Sequence, residues 1–172
     1  MSISNDYNEF KEEIELAYVQ NAGVEIELYS IIACIIRDGK QGSSISLRDV
    51  SSRRRSTSVN NSNRFSGAGG FPDFVILERD LKKTAKILGC IEAKMLTENL
   101  NKYKDRLQKH IKSFHKVLYT NGLEWRFYNE KEIPEWTFIL GELKDNRINW
   151  KNVEIWKKLL DELDNINWRR KR

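Results

Sequence analysis

The chain has 172 residues, of which 40% are hydrophobic and 32% are charged. This mixture is too apolar for a disordered chain, and the length suits one ordinary domain with a core of its own. The longest apolar stretch, residues 31–36, is far too short to cross a bilayer, and the first residues carry no signal-peptide pattern. We therefore expect a single domain over residues 1–172 in a cytoplasmic protein that has no membrane partner.

The charge balance allows a polyanionic partner. Lys and Arg outnumber Asp and Glu by 30 to 25, so the formal net charge is +5. An excess of this size permits nucleic-acid binding without requiring it. Cys34 and Cys90 lie in apolar runs and lack the spacing of a zinc site or a disulfide framework, which is typical of core cysteines in a reducing compartment.

Helical periodicity predicts two helices near the start of the chain. Apolar residues recur at helical spacing over residues 5–20, where Asn5 or Asp6 can cap the first turn. They recur again over residues 28–35, ahead of a stop signal at Asp38-Gly39. The second helix is expected to be largely buried.

A basic loop is predicted at about residues 39–70, where Ser, Arg, Asn and Gly dominate apart from a strand-like piece at residues 45–50. A loop of this length in a small domain is usually functional or disordered. A basic arm around a polyanion and a solvated insertion explain it equally well. Its arginines are Arg48, Arg53, Arg54, Arg55 and Arg64.

The second half of the chain mixes strand and helix patterns. Period-two and apolar runs predict a hairpin followed by three more strands, and amphipathic runs predict two more helices. The resulting fold class is α/β, with a central mixed sheet flanked by helices. The predicted strands are residues 74–79, 86–95, 116–120, 123–129 and 136–140, and the predicted helices are residues 98–114 and a segment from residue 153 onward.

Charged residues interrupt the two apolar strands of the hairpin. Side chains at i and i+2 of a strand share a face, so Glu92 and Lys94 point the same way, and a turn near residues 82 and 83 places Asp73 opposite Glu92. Burying these charges is costly unless they pair or bind an ion. Two carboxylates and a backbone carbonyl suit Mg²⁺, and a water bound there can attack phosphorus with help from Lys94. The pattern predicts phosphodiester hydrolysis.

Pro72-Asp73 followed by Glu92-Ala93-Lys94 resembles the active-site motif of the PD-(D/E)XK nuclease superfamily, whose fold is restriction endonuclease-like. The segment from Thr120 to Trp125 is similar to the Thr-Asn-Gly-x-x-Trp segment of the nuclease domain in type I restriction motor subunits. The resemblance covers most of residues 24–128. It implies a DNA endonuclease that uses Mg²⁺, or Mn²⁺ in its place, with Asp73, Glu92 and the backbone carbonyl of Ala93 as metal ligands and Lys94 as a catalytic residue.

The same resemblance implies a catalytic carboxylate on the helix before the sheet. We prefer Glu27 to Glu25 because Glu27 lies one turn before Ile31 on the buried side of that helix. Members of the restriction-subunit branch also carry Gln-x-x-x-Tyr on the helix after the catalytic strand, and Gln108 matches its first residue whereas Lys112 replaces the Tyr. The predicted DNA-binding residues are Arg48, Arg53, Arg54, Arg55, Lys104, Gln108 and Lys112.

Other readings stay open. Asp73 can be a turn acid, Glu92 and Lys94 can be an edge ion pair, and the fold can be an inactive nuclease that binds DNA or a protein, or an interaction protein with no nucleic-acid role. His110 and His115 show no ligand pattern and are expected on the solvent side of their helix.

Partners follow from the nuclease reading. One site cuts one strand, so a double-strand break needs a homodimer or two encounters. The sequence has no nucleotide-binding phosphate loop, so any motor or specificity protein is a separate chain. A bacterial or phage origin is implied by the resemblance alone.

Overall fold

The computed structural model describes residues 6–21, 25–52 and 62–169, which form four helices, a six-stranded sheet and a separate hairpin. No helix in these ranges is both long enough and apolar enough to cross a membrane. The helices are α1 (Tyr7–Asn21), α2 (Glu27–Asp38), α3 (Lys104–Phe114) and α4 (Val153–Asn165). The strands are β1 (Ile45–Asp49), β2 (Phe74–Glu78), β3 (Ile87–Ala93), β4 (Lys116–Thr120), β5 (Glu124–Asn129), β6 (Trp136–Ile139), β7 (Gly141–Lys144) and β8 (Arg147–Trp150).

The main sheet is mixed, as the sequence predicts. Its strands follow the order β1-β2-β3-β4-β5-β6, and every neighbouring pair is antiparallel except β3 with β4. A parallel pair needs a crossover connection, and α3 forms it between β3 and β4. This crossover brings α3 over the sheet near the end of β3, where the charged motif lies.

Helices cover both faces of the sheet. Residues of α1, α2 and α4 join the inward side chains Ile76, Ile91 and Trp125 in the larger core. Residues of α3 join Val75 and Cys90 in a smaller core on the opposite face. Neighbouring residues of β2 and β3 thus enter different cores, as the two-residue period of a strand requires. The α/β prediction is confirmed at this level.

Most predicted elements match the structure to within two residues at their ends. Asp6 caps α1, because its Oδ1 accepts the backbone N–H of Asn8 at 2.8 Å. The predicted helix 98–114 is a 3₁₀ turn, Leu100–Tyr103, followed by α3. Of the basic loop, residues 45–49 are β1, and residues 53–61 lie outside the described residues.

The hairpin of β7 and β8 was not predicted. Its register pairs Lys144 with Arg147, so the loop is the two residues Asp145 and Asn146, whose φ angles are 52° and 59°. Positive φ at both loop residues is the type I′ geometry that joins twisted strands, and Asp and Asn tolerate it better than most residues. Trp150 at the end of β8 packs edge-on against Tyr7 of α1, with ring centroids 6.2 Å apart.

Candidate active site

The charged motif converges at one end of the sheet. β2 begins where β3 ends, and the register pairs Phe74 with Ile91, so Asp73 lies beside Glu92 at the next position. The backbone N–H of Lys94 donates to the carbonyl of Thr120 at the end of β4, at 2.8 Å. Three strands therefore fix the backbone around this cluster, and Asp73, Glu92 and Lys94 are each no more than 4% exposed.

Asp73 is held by α2 and β3. Its Oδ1 accepts the Tyr29 hydroxyl at 2.6 Å, and its Oδ2 accepts the backbone N–H of Ala93 at 2.8 Å. Burial first, and then the charges of Glu92 and Glu25, raise the pKa of Asp73 from 3.8 to about 7, although the two hydrogen bonds oppose the rise. A large fraction of Asp73 therefore keeps its proton near neutral pH.

The Tyr29 hydroxyl also lies 3.0 Å from Glu25 Oε1. A hydroxyl has one proton and can donate to one of its two carboxylate neighbours at a time. The other contact is favourable when that carboxyl group carries a proton, which agrees with the raised pKa of Asp73.

Glu92 is surrounded by cationic and hydrogen-bonding groups. Its Oε1 lies 2.8 Å from Lys94 Nζ and 3.0 Å from Arg106 Nη2, and its Oε2 lies 3.4 Å from His110 Nε2. Burial favours the neutral form, but the nearby His110 and the charges of Lys94 and Arg106 outweigh it and lower the pKa of Glu92 below its ordinary value. Glu92 is therefore the charged acid of the pair.

The Lys94 ammonium lies among the oxygen atoms that the sequence predicts as metal ligands. Besides Glu92, it donates to the carbonyl of Ala93 at 2.6 Å and lies 3.8 Å from Glu25 Oε2. The Tyr103 ring covers it, with 5.4 Å between Nζ and the ring centroid. The Lys94 ammonium therefore balances negative charge of Glu92 and Glu25 in the cluster.

The helix carboxylate in this cluster is Glu25, whereas the sequence argument preferred Glu27. Glu25 lies four residues before Tyr29, the residue of α2 that reaches Asp73, and so it lies on the same side of the chain. The backbone carbonyl of Glu27 accepts a hydrogen bond from the Ser30 hydroxyl at 3.3 Å, and the Glu27 carboxylate makes no hydrogen bond within the described residues. The structure thus brings Glu25 and not Glu27 to the site.

The prediction for His110 was wrong. His110 is fully buried and faces Glu92, because it lies three residues after Leu107 and four before Phe114, on the apolar side of α3. Arg106 lies one turn earlier on the same side. Sequence reasoning missed both residues, although the i, i+3, i+4 spacing to the apolar residues of α3 was a usable signal.

Gln108 and Lys112 are not the pair that α3 presents to the cluster. Gln108 donates instead to Glu132 at 2.8 Å, on the other side of the helix, and Lys112 is exposed. The α3 residues at the site are Arg106 and His110, which have the same four-residue spacing. Lys104 and Arg48 are also exposed and make no contact with the cluster among the described residues, while Arg53, Arg54 and Arg55 lie outside that part of the chain.

The segment from Thr120 to Trp125 forms the turn between β4 and β5 that contacts the Lys94 backbone. Gly122 has a φ of 87°, and its N–H donates to Thr120 Oγ1 at 2.9 Å, while the Trp125 indole donates back to the Gly122 carbonyl at 3.0 Å. Asn121 Nδ2 donates to the carbonyl of Glu98 at 2.9 Å, which ties the loop after Lys94 to the sheet. These motif residues build the turn that holds the Lys94 backbone.

The donor set fits a hard divalent cation. Asp73, Glu92 and the Ala93 carbonyl offer oxygen atoms alone, and Glu92 Oε2 is buried with only the 3.4 Å contact to His110 Nε2, which is too poorly aligned to count as a hydrogen bond within the described residues. No set of three His, Cys, Asp or Glu side chains within residues 6–21, 25–52 and 62–169 is arranged as a ready metal site. Two carboxylates nevertheless suffice for Mg²⁺, which retains several waters.

Comparison with known proteins shows a similarity of fold. No protein-family model and no curated protein matches the chain. Among solved structures, the fold is similar to a chain in the cryoEM structure of a DrdV–DNA complex, with a TM-score of 0.58 and 13% sequence identity. The similarity covers 93% of this chain and 14% of that chain, so this protein corresponds to a small part of its neighbour. At this identity the likeness concerns the fold alone.

Proposed function

We propose that this protein is a Mg²⁺-dependent DNA endonuclease of the PD-(D/E)XK type. The proposal depends on one observation: Asp73, Glu92 and Lys94 are buried and lie close together where β2 begins and β3 ends. A purely structural ion pair does not need Asp73, whose carboxylate is disfavoured there by burial and by Glu92. The similarity in fold to a chain from a DNA complex also supports a role in DNA processing.

Asp73, Glu92 and the Ala93 carbonyl would hold the cation, and the cation would supply an acidified water and charge neutralisation at the phosphate. The chain's own groups have separate tasks. Tyr29 and the Ala93 N–H orient the two oxygens of Asp73. Lys94 can turn from Glu92 toward the attacking water or a phosphate oxygen, because its flexible stem ends in an ammonium with three donors.

A cleavage experiment tests this proposal. Supercoiled plasmid, linear duplex and a branched junction are incubated with Mg²⁺, Mn²⁺ or EDTA and either wild-type protein or the isosteric variant Asp73→Asn. We expect metal-dependent cleavage by the wild type and a fall of about 10³-fold or more in the variant, since an electrostatic ligand to the reacting centre is lost. DNA binding measured in EDTA should change little.

The alternative is an inactive nuclease fold that binds DNA. It predicts no cleavage of any substrate by the wild type, together with DNA binding that weakens steeply as salt rises. Absence of both cleavage and binding would remove the nucleic-acid role altogether.

A further inference from the structure

Two residues of α3 bracket the Glu92 carboxylate. Arg106 Nη2 lies 3.0 Å from one oxygen of Glu92, and His110 Nε2 lies 3.4 Å from the other. Lys94 shares the first oxygen. Because both oxygens have contacts, rotation of the carboxylate about its last bond by less than a half turn would break them.

The burial of His110 calls for a function. Its side chain is fully buried, and its Nδ1 has no hydrogen-bond partner within the described residues. A buried polar atom without a partner lowers stability, and an apolar residue at this core position would avoid that loss. Its other nitrogen, Nε2, lies 3.4 Å from Glu92 Oε2 and accepts the Nε–H of Arg106 at 3.4 Å, so the imidazole contacts both groups.

Arg106 links the two strand ends. Besides Glu92, its Nη2 donates to the carbonyl of Phe71 at 3.2 Å, two residues before Asp73, and its Nε lies 3.4 Å from His110 Nε2. The planar guanidinium holds these groups in one arrangement, which a flexible ammonium does not. One side chain thus fixes the start of β2 relative to the end of β3.

A glycine turn locks the imidazole in place. Residues 67–70 pack on α3, where the N–H of Ala68 donates to Ser113 Oγ at 2.9 Å. A Cβ atom at Gly69 would lie 3.1 Å from His110 Cε1 and 3.2 Å from Nδ1, so a side chain there would press on the ring. The backbone thus approaches His110 closely enough to restrict its orientation.

We propose that Arg106 and His110 are positioning residues that hold the Glu92 carboxylate in a single orientation for metal and substrate. This inference rests on the proposed nuclease function. Groups behind a metal ligand typically contribute about 10–100-fold to metal affinity or activity.

The test uses three substitutions of His110. His110→Gln places an amide nitrogen near the position of Nε2, His110→Asn places it near Nδ1, and His110→Phe keeps the volume without a polar atom. Lys109→Ala, at an exposed position of the same helix, is the matched control. Each protein is measured for Mn²⁺ affinity by EPR, for kcat and KM of duplex cleavage, and for thermal stability.

We expect His110→Phe and His110→Asn to weaken Mn²⁺ binding by about 10-fold and to lower kcat by about 10–100-fold with KM changed little. His110→Gln should restore both quantities to within about three-fold of wild type. Equal behaviour of the Gln and Asn variants, or unchanged Mn²⁺ affinity in the Phe variant, would overturn the positioning role while leaving the nuclease intact. A wild type that neither binds Mn²⁺ nor cleaves DNA would instead overturn the proposed function, and the inference with it.

Discussion

Asp73 and Glu92 occupy neighbouring positions of the same sheet end, yet their surroundings differ. Asp73 accepts hydrogen bonds from a hydroxyl and an amide and has Glu92 and Glu25 as acidic neighbours. Glu92 faces an ammonium, a guanidinium and an imidazole. The pKa of Asp73 is raised and that of Glu92 is lowered, so the partner groups, and not burial alone, decide which acid is charged.

The largest expected difference between the two acids is in the pH dependence of stability without metal. The unfolded state releases the Asp73 proton near pH 4, and the folded state keeps it until about pH 7. The contribution of Asp73 to the free energy of unfolding therefore falls by up to about 4 kcal/mol as pH rises through that interval, and it stays low at higher pH. Glu92 acts in the opposite sense, because its contribution is present at neutral pH and is lost as pH falls through its lowered pKa.

Urea unfolding in EDTA from pH 4 to pH 8 measures this effect. The difference in unfolding free energy between Asp73→Asn and wild type should grow with pH in favour of the variant. A difference that is independent of pH would show that Asp73 is already ionised in the folded protein at pH 4.

The second prediction concerns Glu92 at pH 8. Glu92→Gln removes the carboxylate that neutralises buried Lys94 and half-buried Arg106, so we expect a loss of about 3 kcal/mol in unfolding free energy. Glu142→Gln, at an exposed ion pair with Lys151, should change stability by less than about 0.5 kcal/mol. Urea unfolding of the wild type, Glu92→Gln, Glu142→Gln and Asp73→Asn measures these differences. Equal losses in Glu92→Gln and Asp73→Asn would contradict the asymmetry of the two acids.

The residues that the strands bring to the site could be predicted from the sequence, whereas those that the helices contribute could be predicted only in part. Two-residue periodicity and hairpin symmetry suffice to bring Asp73, Glu92 and Lys94 together, because backbone pairing fixes which side chains share a strand end. A helix contact also requires the rotation of the helix about its axis, which tertiary packing decides. That uncertainty accounts for the preference for Glu27 and for the omission of Arg106.

Fold prediction shows the same limit. The six-stranded sheet follows from apolar runs and turn signals, whereas β7 and β8 are short, half-exposed strands around Asp145-Asn146. Such weak alternation is recognisable once the type I′ turn is known. The neighbouring α4 was predictable because its apolar face is long and regular.

The third prediction concerns Lys94 as a competitor for the cation. Its ammonium contacts Glu92 and the Ala93 carbonyl, so Lys94→Met should bind Mn²⁺ about 10-fold more tightly while cleavage is lost. Isothermal titration of both proteins with Mn²⁺ measures the affinity. Lys102→Met, at an exposed partner of Glu98, is the control for loss of a positive charge. Weaker binding in Lys94→Met would mean that Lys94 orients the ligands and does not compete for them.

The smallest expected effect concerns Glu25, in the turn before α2, and Glu27, the first residue of α2. Glu25 raises the pKa of Asp73 and lies 3.8 Å from Lys94. The Glu25 side chain is 30% exposed, so solvent screens the charge of its carboxylate. Glu25→Gln should therefore lower the Asp73 pKa measurably and change stability by less than about 1 kcal/mol. Glu27→Gln should leave that pKa at its wild-type value, because no contact of the Glu27 carboxylate with the cluster occurs in the described residues. Carbon-detected NMR titration of the Asp73 carboxyl in EDTA distinguishes them, and a larger shift in Glu27→Gln would restore the choice that helical spacing favoured.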